Sequence, residues 1–226
     1  MENNLIKILE ELLFLPLDLP ELPTIDPHRV EEAKKNSFLR DDFRNCFHIP
    51  IFNTNGSSSD FQKGTANSLQ WTPAADVLPE IKHYILNHLQ WMSPMGRAVI
   101  ICTPPKTENP IHLDCTTKDI HQNHIKFRAV LQGTTSSLWF WDGQQKHPVK
   151  ELGRKPFLMS GKFPHGMTND SNDYKYTLAI GSPWDANPEC IELKKILEKS
   201  LFANQQNVIL KSNIRPPELE AHWLAK

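Results

Sequence analysis

From Arg97 to Pro183 the chain never sustains a helical apolar period; it runs in short apolar bursts cut off by turn residues, which confines this stretch to β-rich architectures. The bursts at 98–102, 125–131, 137–141, 156–159 and 174–180 are the predicted strands. No helical pattern alternates with them as βαβ units require, so a parallel sheet is disfavoured and an antiparallel jelly-roll or cupin-like barrel fits better. A mainly β chain with flanking helices is expected. Its 226 residues are enough for one domain with a substantial core. Within 1–226, residues 1–96 supply N-terminal helices and a loop, 97–183 the barrel core, and 184–226 a C-terminal helical segment.

The flanks read differently. Leu5, Ile8, Leu9, Leu12 and Leu13 recur at helical spacing until Pro16 and Pro20 stop the pattern, which predicts an opening amphipathic helix. A second short helix is predicted over 27–36, with Pro27 in its first turn. Residues 47–52 look extended. The Asn-, Ser- and Gly-rich stretch 53–67 reads as a loop, and as a candidate lid over a site. Val77, Ile81, Tyr84, Ile85 and Leu89 mark a clearer helix. Helical spacing returns at 190–201 and again at 216–226.

Composition excludes some functions. With 25 Lys and Arg against 26 Asp and Glu, and no basic run, nothing marks a grip on a phosphate backbone, so a nucleic-acid substrate is disfavoured. Cys46, Cys102, Cys115 and Cys190 form no CxxC pair and read as reduced thiols. Glu2, Glu10 and Glu11 interrupt the stretch an export signal would need, and no segment is long and apolar enough to span a bilayer. A cytoplasmic protein is expected.

The chemistry concentrates in two places. In Pro110-Ile111-His112-Leu113-Asp114-Cys115, an H-x-D on an extended chain projects His112 and Asp114 to one face, where both can reach one ion. A third ligand, His165, sits in Lys162-Phe163-Pro164-His165-Gly166 just ahead of another strand. Two neutral imidazoles and one carboxylate on one side of a metal leave the opposite positions open, the facial arrangement of non-haem iron(II) oxygenases. Ten residues beyond His165, Lys175 shares a strand face with Thr177 and Ala179, while Tyr174, Tyr176, Leu178 and Ile180 form the other. A cation followed by small residues suits a ligand-lined interior. On the strand leading to Leu131, His124, Lys126 and Arg128 share a face, opposite Ile125, Phe127 and Ala129. Inward-pointing members of that set would meet a cosubstrate or substrate carboxylate, with Arg128 the better bidentate fork. His121, His124 and His147 are held as reserve ligands, and Trp139, Phe140 and Trp141 read as core.

Together, His112-x-Asp114, the basic strand at Lys126 and Arg128, the distal His165 and the cation Lys175 resemble the iron(II)/2-oxoglutarate-dependent oxygenase superfamily. Within it the pattern is most similar to the aspartyl/asparaginyl β-hydroxylase and small amino-acid hydroxylase branch. The resemblance spans about Arg97 to Pro183. It implies a double-stranded β-helix, iron(II) held by His112, Asp114 and His165, and 2-oxoglutarate as cosubstrate. Its far carboxylate would be anchored by Lys175, where the superfamily commonly has Arg, with Lys126 and Arg128 as competitors. Members of the β-hydroxylase branch can lack the metal-binding acid, whereas Asp114 is present here. The implied reaction uses dioxygen to hydroxylate a small-molecule or peptidyl substrate, an amino acid free or within a protein. Two other readings compete. One is a non-catalytic cupin-like binding module; the other is an interaction protein acting through its terminal helices and Trp223.

Overall fold

A computed structural model describes residues 10–59, 68–92, 95–114, 125–181 and 191–214. The N-terminal segment departs from expectation. Residues 1–9 lie outside the described part, and Leu12–Pro16, predicted as the end of a helix, is a strand, β1, buried along its whole length. A strand covered on both faces shows a continuous apolar run, which periodicity cannot separate from a buried helix. Leu12 and Leu15 pack into the larger core cluster, while Leu13 and Phe14 pack into the smaller one. That uneven split goes with a register shift between Leu12 and Phe14 where β1 pairs with the C-terminal strand.

Helix α1, Pro27–Asn36, matches its prediction and is capped by Asp26, whose carboxylate accepts from the His28 N–H at 2.9 Å. The hairpin of β2 (Leu39–Asp41) and β3 (Cys46–Thr54) follows. Its turn is closed by Asn45, whose φ of 50° lies in the left-handed region that Asn tolerates. Of the loop at 53–67, the first two residues end β3, and 60–67 lie outside the described part. Next come β4 (Leu69–Trp71), α2 (Pro73–Val77) and α3 (Pro79–His88), each helix opening on a proline.

The barrel strands are β5 (Ala98–Thr103), β6 (Thr107–His112), β7 (Ile125–Gln132), β8 (Leu138–Trp141), β9 (Lys146–Pro148), β10 (Phe157–Ser160), β11 (His165–Asn169) and β12 (Lys175–Ile180). Helix α4 (Ile191–Ala203), β13 (Ile209–Leu210) and α5 (Lys211–Ile214) end the described chain. The segments at 115–124, 182–190 and 215–226, which include His121, His124, Cys115, Cys190 and the predicted terminal helix, lie outside it.

Among the described residues all the strand pairs are antiparallel, as the lack of βαβ pattern predicts. The large sheet runs β13-β1-β10-β7-β12-β5-β3-β2, with β4 beside β3, and the small sheet runs β6-β11-β8-β9. Strands from both flanks therefore extend the sheet built by the central segment. The large sheet sorts its residues by the two-residue strand period. Ile125, Phe127, Ala129, Leu178, Ile180 and Ile100 face a core covered by the helices. Their alternates Lys126, Arg128, Val130, Thr177, Ala179 and Ile101 line a cavity of about 390 Å³ that the small sheet closes from the other side. The expected inward face of β12 and the expected basic face of β7 are both present.

The β1 assignment has a direct test. In the predicted helix Phe14 would fall off the apolar stripe, and its truncation would cost little. In the strand it is fully buried against Phe157, with ring centroids 4.9 Å apart. Phe14→Ala is expected to cost about 3–5 kcal/mol in denaturant unfolding; a cost under about 0.5 kcal/mol would restore the helix.

Candidate metal centre

His112 and Asp114 leave the end of β6 two residues apart and turn into the cavity, while Ile111 and Leu113 stay on the exposed side. His165 opens β11 and pairs across the small sheet with His112. His112 Nε2 lies 3.5 Å from Asp114 Oδ1, and His165 Nε2 lies 3.6 Å from Asp114 Oδ2. One donor atom from each residue falls within 4.8 Å of the others.

The ring orientations follow from the backbone. His112 Nδ1 lies 2.8 Å from the Pro110 carbonyl, and His165 Nδ1 lies 2.8 Å from the Phe163 carbonyl. A carbonyl only accepts, so each Nδ1 carries the proton, and in the neutral ring each Nε2 keeps a lone pair aimed at its companions. Burial holds the His165 imidazole below its ordinary value against the pull of Asp114, which favours that neutral ring. Gly166 lets β11 sit this deep, because a Cβ there would come within 2.4 Å of the Trp139 ring. Trp139 is therefore a packing wall behind the site, as its core reading expects, and its indole N–H donates to Thr168 Oγ1 at 3.0 Å.

Asp114 is the most contested group. Lys126 Nζ lies 2.9 Å from Oδ2, Arg128 3.4 Å from Oδ2 and Arg44 3.3 Å from Oδ1. Burial alone would raise its pKa, but the neighbouring positive charge, that of Lys126 foremost, outweighs it and holds the carboxyl well below its ordinary range. Arg44 gave no sequence signal: Arg40-Asp41-Asp42-Phe43-Arg44-Asn45 reads as a solvated charged turn. The turn instead aims Arg44 at the site, and Asp41 braces it through an ion pair at 2.9 Å.

Lys175 sits at the other end of the cavity. Ala179 pairs with Arg128 across β12 and β7, and Lys175 lies four residues before it, about 13 Å along the sheet. Its buried ammonium donates to the Thr134 carbonyl and to Ser137 Oγ. Gly133, at φ 101°, makes room for its stem, since a Cβ there would lie 3.0 Å from Lys175 Cγ. Burial pushes the Lys175 pKa down to about 7, with Glu151 opposing. Thr177 Oγ1 and Asn109 Oδ1 are buried in the same cavity without a hydrogen-bond partner among the described residues, a pattern that marks a place for a polar ligand.

Of the reserve histidines, His147 pairs with Asp142 at 2.6 Å on β9 and takes no part in the triad. A second donor group, Asp41, Cys46 and His48, also clusters within 4.8 Å. There Asp41 is engaged by Arg44, and burial pushes the Cys46 thiol up to about 12, which leaves it a poor ligand. The donor chemistry at His112, Asp114 and His165 fits a divalent transition metal better.

Among solved structures, the chain is similar to a prolyl hydroxylase from Trichoplax adhaerens in complex with a hypoxia inducible factor peptide fragment. The TM-score is 0.51 at 10% identity, over 83% of this chain and 90% of that one. It is also similar to a 2OG-Fe(II) oxygenase family oxidoreductase from Burkholderia pseudomallei (TM-score 0.46, 11% identity, 80% and 89% covered). A Pseudomonas putida prolyl-4-hydroxylase gives a TM-score of 0.44 at 14% identity, with 80% and 98% covered. No protein-family model matches the chain, and no curated protein matches it by sequence. The fold is the double-stranded β-helix of the 2-oxoglutarate oxygenases, mainly β with flanking helices. Among the described residues no helix is long and apolar enough to cross a membrane.

Because three cations converge on Asp114, its removal should harm the protein even without metal. In the presence of a chelator, Asp114→Ala is expected to lose about 3 kcal/mol of unfolding free energy, the cost of leaving partly buried charges uncompensated. A loss below about 1 kcal/mol would mean that water already solvates those cations.

Proposed function

We propose that this chain is an iron(II)/2-oxoglutarate-dependent dioxygenase that hydroxylates an amino acid, free or within a protein. The observation that carries the reading is the triad itself, two Nε2 lone pairs and one carboxylate converging at one end of a cavity whose other end holds a buried lysine. The double-stranded β-helix supports it, and so does the peptide complex formed by the Trichoplax hydroxylase, which makes a peptidyl substrate a natural candidate beside a small molecule. The likeness to the aspartyl/asparaginyl branch stays part of this proposal.

In this reading His112, Asp114 and His165 hold iron(II). With 2-oxoglutarate and dioxygen bound, the metal supplies the oxidising chemistry, and 2-oxoglutarate is converted to succinate. The chain's own part is placement. Both imidazoles are locked by carbonyls, so the ligand set is organised before metal arrives. Lys175 anchors the far carboxylate, with Thr177 Oγ1 as an added donor. Lys126 and Arg128 touch the metal-binding acid directly and sit at the near end, which favours Lys175 over them for that role. Val99, Ile101 and Phe157 keep the cavity wall between apolar, which strengthens charge pairs within it.

His112→Ala, Asp114→Ala and His165→Ala should each abolish iron(II) binding and succinate formation, measured by anaerobic titration and by product analysis. Wild-type behaviour in any one removes that residue from the set. A metal-binding module without catalysis would bind iron(II) and never form succinate.

Lys175→Ala should weaken 2-oxoglutarate binding well beyond tenfold while leaving iron(II) affinity nearly intact, because a desolvated charge-assisted pair contributes about 2 kcal/mol or more. The pH dependence has a definite sign. Above about pH 7 the buried lysine is neutral in the free protein, and a carboxylate beside it favours the charged form. Binding at pH 8 should therefore take up a proton, whereas at pH 6 it should take up almost none. Calorimetry in buffers of different ionisation enthalpy reads this directly. Uptake that persists in Lys175→Ala would assign the proton to another group.

A further inference from the structure

Arg128 is the least satisfied cation of the site. Its guanidinium offers five N–H donors, yet among the described residues its one hydrogen-bond partner is Asp114, at 3.4 Å. Charge-assisted bonds of this type close to about 2.7–2.9 Å when they are well made. The side chain is 11% exposed, so bulk water does little to compensate, and it lines the cavity. Arg44 approaches the opposite carboxylate oxygen at a similarly long 3.3 Å and is itself 30% exposed at the mouth.

Charge sharpens the point. Resting on the dioxygenase reading, one cosubstrate carboxylate belongs with Lys175, and only the other brings negative charge to the metal. Asp41 offsets Arg44. Lys126 and Arg128 are then left to share the single negative charge of Asp114 with a divalent ion, so the metal end stays short of negative charge. An uncompensated charge in a partly desolvated place is costly.

We infer that Arg128, with Arg44 beside it, forms a recognition site for a carboxylate of the primary substrate. The planar fork of a guanidinium matches the two oxygens of a carboxylate. The donors available to it lie beside the triad, so the C–H bond presented for oxidation belongs to a carbon close to that carboxylate. An amino acid bearing its own free carboxylate satisfies this arrangement, as does an aspartate or glutamate side chain within a peptide.

The test uses the full chain loaded with manganese(II) and 2-oxoglutarate, titrated calorimetrically with matched probes. N-acetyl amino acids are compared with their neutral amides, and N-acetyl-aspartate amide and N-acetyl-glutamate amide carry the carboxylate on the side chain alone. Carboxylate members are expected to bind about tenfold or more tighter than their neutral partners. Whichever arm shows the preference identifies the source of the carboxylate. Arg128→Gln should remove the preference, and Arg128→Lys should restore only part of it, because charge returns without the fork. Arg44→Gln, a change in the β2–β3 turn whose folding is checked by circular dichroism, should reduce the same ratio. Equal binding of acids and amides, or an unchanged ratio in both Gln variants, overturns the proposal. The two readings fail separately. A carboxylate preference without any succinate formed in the iron(II) protein under air overturns the oxygenase and leaves the anion site. Succinate formation driven equally well by neutral amides overturns the anion site and leaves the oxygenase.

Discussion

One carboxylate organises the site. Asp114 holds a place between two imidazoles and three cations that arrive from four separate parts of the chain: the β2–β3 turn, β6, β7 and β11. Without it, Lys126 and Arg128 would sit side by side on one face of β7 with their like charges uncompensated. With it, β7 of the large sheet is tied to the segment that leaves β6 of the small sheet. The arrangement is poised rather than relaxed, because Lys126 pairs closely with Asp114 while Arg44 and Arg128, at 3.3 and 3.4 Å, would pair better with a closer anion.

Much of this was legible in the sequence wherever the strand period alone decides direction. His112 and Asp114 share a face because they are two apart, and Lys175, Thr177 and Ala179 share a face for the same reason. Lys126 and Arg128 point inward because Ile125, Phe127 and Ala129 must point to the core. Three things were hidden. β1 shows no period, since both its faces are covered. β11 reads as His-Gly-Met-Thr-Asn, too short and polar to announce a strand, and its depth comes from a Trp139 ring seated where Gly166 has no side chain. Arg44 and Asp41 are 70 or more residues upstream of Asp114, in a turn whose charges look destined for solvent. Only the tertiary path of the β2–β3 hairpin brings them in, and no local pattern encodes that path.

The two ends of the cavity solve opposite electrostatic problems. At the triad, cations are gathered around too little negative charge. At Lys175, a single ammonium is buried among neutral acceptors, the Thr134 carbonyl and Ser137 Oγ, and its proton is held loosely. A ligand that is negative at both ends relieves both problems at once. The apolar wall between them sets the spacing such a ligand must have, so the cavity selects by length as well as by charge.

The pairing of β1 with β13 joins residues almost two hundred positions apart. Asn204 strengthens that seam by donating to the Pro16 carbonyl at 3.1 Å, as does Ser200, whose hydroxyl accepts from the Asp18 N–H at 3.0 Å. During synthesis β1 emerges almost two hundred residues before its outer neighbour exists. In that interval it presents an apolar strand with unpaired backbone groups, the kind of edge that recruits other chains. Loop closure over so long a span is slow. The seam is therefore where a chain cut short before Ile209 would leave the outer edge of β1 uncovered, with its backbone groups open to other chains.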